Sequence, residues 1–146
     1  MNVLWLSALL AGMVLPLQAV INGRLSKEIG SPVLASFVSF FVGTVCLGLY
    51  CLATRVALPS AQSPGRLPPW LWMGGMIGAL YMVGVVSLVP RLGVSVTMGL
   101  VIAGQIVLAA CLDHFGLLGL HTHPLNAGRL LGIALLIAGV ILVKRF

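Results

Sequence analysis

Few residues in this chain can do chemistry, and most of those that can are uncharged. Gln18 and Asn22 stand four apart in the stretch PLQAVINGRL, so on a helix they share one face just after Pro16. Each amide offers both donors and acceptors, and the proline leaves a backbone carbonyl without its usual partner. A lining of this kind suits a polar, neutral or zwitterionic solute better than a bare cation. Further on, Ser39, Thr97 and Gln105 interrupt long apolar runs and join Gln18 and Asn22 as candidates for binding the solute; Ser36, Thr44 and Ser87 interrupt such runs too. Serine and threonine can bond back to the carbonyl four residues earlier, so alone they say little. Gln18, Asn22 and Gln105 cannot do so easily. They must either line a path or hold helices together.

Only two acids occur, Glu28 and Asp113. Without a carboxylate pair, a Ser-His-Asp order, an HExxH motif or a phosphate-binding glycine loop, no enzyme class is supported. Asp113 and the adjacent His114 close the fourth apolar run and are the candidates for proton coupling, if there is any. The alternative for Asp113 is a salt bridge to Arg129 or a place among headgroup waters. His114, His121 and His123 show no metal-ligand spacing, and neither a metal nor another cofactor is expected. Cys46, Cys51 and Cys111 lie within apolar runs, where buried free thiols are expected; Cys46 and Cys51 are too far apart on one helix to bridge.

The elements that must position these groups are membrane helices. The 146 residues are 60% hydrophobic and 7% charged, against about 25% charged in a soluble domain. Runs of about 20 apolar residues cross the hydrocarbon as helices. Five are expected, at about 2–22, 32–54, 70–89, 93–112 and 126–143, forming a single all-α transmembrane domain over 1–146. The first run has no preceding Lys or Arg, so it is read as a span and not as a cleaved signal. Ser31-Pro32 supplies a cap and a first-turn proline for the second span. Residues 55–69 form a Pro- and Ser-rich connection followed by Trp70 and Trp72, placed as interface anchors. Pro90 to Gly93 is a very short turn, and 113–126 is expected to lie along the surface.

The net charge of +6 comes from eight Lys and Arg, all in loops or at span ends. That is where such side chains meet lipid headgroups, so nucleic acid is not an expected partner. Gly74 with Gly78, Gly128 with Gly132, and Gly99 between Ser95 and Ala103 make small-residue faces for close helix packing.

Several pieces in order resemble a known family. They are G-x3-P-x-Q-x3-N-G from Gly12 to Gly23, G-S-P-x2-A-S-F-x-S-F-x2-G from Gly30 to Gly43, and W-x-G-G-x2-G from Trp72 to Gly78. Gly104-Gln105, D-H-F-G-L-L-G from Asp113 to Gly119, and Gly128-Arg129 follow. Together they resemble the YdcZ-like family of the drug/metabolite transporter superfamily. The resemblance implies a five-helix unit of the bacterial inner membrane that carries an undefined solute and works as small homodimers, pairs or fused ten-helix chains. The related small multidrug resistance proteins keep a glutamate in their first helix; here that helix has only Gln18 and Asn22. The expected function is a secondary transporter or exporter of a small solute, and the alternative is a non-transporting helical subunit packed against a partner protein. Five spans put the termini on opposite sides. Arg55, Arg66 and Arg129 then lie on one side, and Arg24, Lys27, Arg91, Lys144 and Arg145 on the other. That weak bias favours a cytoplasmic C-terminus, permits both insertions, and makes an antiparallel homodimer the expected assembly.

Overall fold

The computed structural model describes residues 3–57 and 68–146, and these are helical apart from short turns and connections. The elements are α1 (Val3–Ile29), α2 (Pro32–Thr54), a 3₁₀ turn at Pro69–Trp72, α3 (Met73–Leu92), α4 (Val94–Phe115), a 3₁₀ turn at Leu117–Gly119 and α5 (Ala127–Arg145). Among the described residues, five helices are long and apolar enough to cross a membrane. The middle of the 55–69 connection, with Arg66, lies outside the described residues, as do the first two positions of the first expected span.

Local chemistry sets the ends. Ser31 Oγ accepts from the Leu34 amide at 3.3 Å and Pro32 occupies the first turn, so α2 begins where expected. The first helix runs past the expected end near 22 as far as Ile29. Neither Pro16 nor Gly23 stops it, and it continues to Gly30, whose φ of +73° ends it. At 27 residues α1 is about 40 Å long, so it outreaches the hydrocarbon and carries Arg24, Lys27 and Glu28 on its far end. Asn126 caps α5, its Oδ1 accepting from the Arg129 amide at 2.9 Å. Gly93, at φ +82°, is the single residue between α3 and α4.

The chain forms two compact units, Met1–Pro90 and Arg91–Phe146. In the first, α1 packs along α2, and Ala35, Met82 and Val86 bury a small core with Leu25 against it. Gly23 faces the end of α3, where an added Cβ would make ordinary contact with Val89 at 3.7 Å and Pro90 at 3.8 Å. The first half of α1, Val3 to Leu15, is exposed throughout, and packing begins at Pro16. In the second unit α4 packs along α5. No residue of α5 is buried.

Candidate functional site

The site grows from the seam between α1 and α2. Asn22 is 4% exposed. Its Nδ2 donates to Ser39 Oγ at 3.0 Å and to Met82 Sδ at 3.5 Å, tying α1 to α2 and α3 at one level. The other small hydroxyls satisfy themselves within their own helices: Ser36 on Pro32 O, Thr44 on Phe40 O, Ser87 on Val83 O and Thr97 on Gly93 O, all at 2.7–2.8 Å. Ser39 alone of the five receives a bond from another helix.

One turn before Asn22, Gln18 is half-buried. It lines two grooves, one on each side of the seam. One holds about 350 Å³ and also includes Asn22 and Ser39. The other holds about 250 Å³ and includes Ser39, Gly43 and Thr44. No ionisable side chain lines either groove. The arrangement can therefore hydrogen-bond a polar solute, but it offers no charge to pair with an ion and no group to transfer a proton.

The remaining candidates lie in the second unit. Thr97 is buried at 1% exposure with its hydroxyl committed to Gly93 O. Gln105 stands exposed on α4. Asp113 and His114 sit in the last turn of α4, and both are engaged by the connection to α5. Arg129 Nη2 meets Asp113 Oδ2 at 3.2 Å, with the two side chains 39% and 34% exposed. Arg129 Nη1 donates to the His123 carbonyl at 2.9 Å, and the His123 amide donates to the Asp113 carbonyl at 2.8 Å. His114 Nδ1 accepts from the Leu125 amide at 3.1 Å. Gly116 allows this tight return: its φ is +60°, and a Cβ there would lie 2.6 Å from Thr122 Cγ2. Beneath the ion pair a groove of about 270 Å³ runs between α4 and α5, walled by Ile106, Ala109, Ala110, Gly132 and Ile133.

The glycines expected to pack helices divide. Gly78 faces the Phe40 ring, 3.7 Å from where its Cβ would be, and Gly99 faces Val140 at 3.0–3.1 Å. Gly74 and Gly132 have open space, and Gly128 meets only Asn126 Oδ1. The cysteines are free, but Cys46 is exposed and Cys51 and Cys111 are only partly covered. They are not buried as expected, because they stand on faces that the neighbouring helices leave uncovered. Among the described residues no group of three or more His, Cys, Asp or Glu could hold a metal.

Two partners escaped the sequence reading. Met82, as the acceptor for Asn22, carries no pattern that would reveal it. Asn126, a good cap ahead of an apolar run, was visible in principle.

No curated protein and no solved structure matches the chain. Residues 3–142 match the family model described as "Putative inner membrane exporter, YdcZ". That description is of an exporter, and with five apolar helices it makes the protein a multi-pass protein of the inner membrane. The chain belongs to the YdcZ family.

Proposed function

We propose that this protein exports a small polar solute, neutral or zwitterionic, by alternating access in an antiparallel homodimer. The observation that carries the reading is Gln18. It is a half-buried amide between two grooves whose linings include hydroxyls and amides but no charge. Ser39 completes the polar patch. Asn22 contributes chiefly by holding the three helices in register, since its Nδ2 already has two partners. Asp113 and His114 act structurally in this reading, because their contacts fasten the α4–α5 connection. Two copies inserted in opposite directions would supply the inverted half that transporters use to alternate access. They would also cover grooves that one copy leaves open.

A thermal-shift screen on the purified protein against neutral, zwitterionic and cationic solutes tests this, since a ligand of the folded state raises Tm. Each hit is then followed as flux in proteoliposomes. Stabilisation and flux by an uncharged or zwitterionic solute are expected. Stabilisation by cations alone would overturn the solute class. Binding or movement of no solute would favour a non-transporting subunit.

A further inference from the structure

We propose that the midpoint of α4 is the seam between two antiparallel copies of this chain, where the Gln105 amides of the copies hydrogen-bond to each other. The inference rests on the homodimer reading above and specifies its interface.

Three other polar side chains of α4 have partners: Thr97 bonds to Gly93 O, Asp113 to Arg129 and His114 to the Leu125 amide. Gln105 instead stands exposed, on a helix of mean hydropathy 2.1. In hydrocarbon there is no water to solvate an amide, so a primary amide that its own unit leaves uncovered on such a helix calls for a protein partner. The contact with α5 does not supply one. Gly99 carries that contact, and it points about 120° around the helix from Gln105.

Two features select a second copy as the partner. An amide carries donors and an acceptor, so two of them are mutually complementary, whereas two carboxylates or two ammonium groups are not. Position does the rest. In α4, Val94–Phe115, eleven residues precede Gln105 and ten follow it. A two-fold axis in the membrane plane passes through the middle of a spanning helix. A residue at that middle meets its own copy, while a residue one turn above meets one a turn below. Gln105 therefore sits at the one level of α4 where self-pairing and opposite insertion agree. Gly104 beside it has nothing within 4 Å of an added Cβ, which leaves room for an approaching helix.

The test uses full-length protein with Cys46, Cys51 and Cys111 changed to Ala, oxidised in native membranes. Gln105→Cys should cross-link to itself. Val101→Cys and Ala109→Cys, one turn before and after, should each fail alone and cross-link when two differently tagged copies are co-expressed. In an antiparallel pair the like positions are about 12 Å apart along the axis, beyond disulfide reach, while Val101 faces Ala109. Gln105→Leu should raise the dimer dissociation constant about threefold or more. Cross-links by Val101→Cys and Ala109→Cys each alone would overturn the antiparallel seam in favour of a parallel one. A dimer by native mass without a Gln105→Cys cross-link would overturn the seam and leave the homodimer standing. An unchanged dissociation constant for Gln105→Leu would overturn the amide pair. A monomer at every concentration would overturn this inference and the dimer reading together.

Discussion

Asn22 and Ser39 form a hydrogen bond whose strength can be isolated by a double-mutant cycle. Asn22→Ala removes a side chain that is 4% exposed and two bonds, at 3.0 Å to Ser39 Oγ and 3.5 Å to Met82 Sδ. Interhelical hydrogen bonds in membranes are worth about 0.6 kcal/mol on average and about 1.7 at most. The thioether is a weak acceptor and adds little. Ser39 need not be stranded, because its hydroxyl can turn to the Ala35 carbonyl as its neighbours do on their own helices. The lost packing of the amide adds about 1 kcal/mol, since lipid offers no hydrophobic compensation between helices. Asn22→Ala should therefore cost about 1–2 kcal/mol and Ser39→Ala less than about 1. The double variant should fall short of the sum by about 0.6 kcal/mol. Reversible unfolding by steric trapping in bicelles measures all three. A coupling of zero would refute the bond as a stabilising contact. A coupling above about 2 kcal/mol would show a larger network than the three residues described.

Gln18→Ala should leave stability within about 0.5 kcal/mol, because the amide is half-buried, and should weaken half-saturation for the screened solute about three- to tenfold in proteoliposomes. Gly99→Ala should cost about 1–3 kcal/mol, since its Cβ would press on Val140 at 3.0–3.1 Å, and Val140→Ala should restore much of the loss; Gly132→Ala, in open space, should be close to neutral. Gly116→Ala should lower Tm more than Gly119→Ala. Both carry the left-handed penalty of about 1–2 kcal/mol, but only Gly116 would also meet Thr122; equal losses would refute the contact. Asp113→Asn should cost about 0–1 kcal/mol, as a pair more than a third exposed on average is screened, and should leave any response of flux to a pH gradient unchanged. Loss of that response would make Asp113 a proton carrier.

Much of the frame was legible because bilayer crossing is a matter of length and apolarity. The five helices and the Ser31-Pro32 start of α2 follow from composition and backbone chemistry. The self-bonding of Ser36, Thr44, Ser87 and Thr97 was also foreseeable, since it needs only their own helices. The Asp113–Arg129 pair was one of two stated alternatives, and sixteen residues of chain with few charges left Asp113 little choice. Faces were a different matter. These helices are apolar all round, so no polar stripe marks which side is covered. Two amides four apart on α1 looked equivalent in sequence, yet Asn22 is clamped by Met82 from sixty residues away while Gln18 is open to two grooves. Gly78 and Gly99 meet side chains and Gly132 does not, although all three belong to small-residue patterns of the same kind.

That difference between Gln18 and Asn22 bears on how α1 could work within the proposed exporter. Alternating access needs one part of a helix held while another part changes its neighbours. Asn22, Gly23 and Ser26 are buried and fix the second half of α1. Pro16 lacks the N–H that would bond the Gly12 carbonyl, and every residue from Val3 to Leu15 is exposed. Gln18 stands between the fixed half and the loosened one. Its amide can stay with a solute while the segment beyond Pro16 swings from one groove toward the other, because the bond that would stiffen the helix at that level is missing. A charged residue in the same place would need a counter-ion on both sides of the seam, and neither groove has one. The uncharged amide and the proline two residues before it are thus a matched pair. In the proposed exporter the amide would bind solute without a fixed ionic partner, and the proline would give the helix a place to bend.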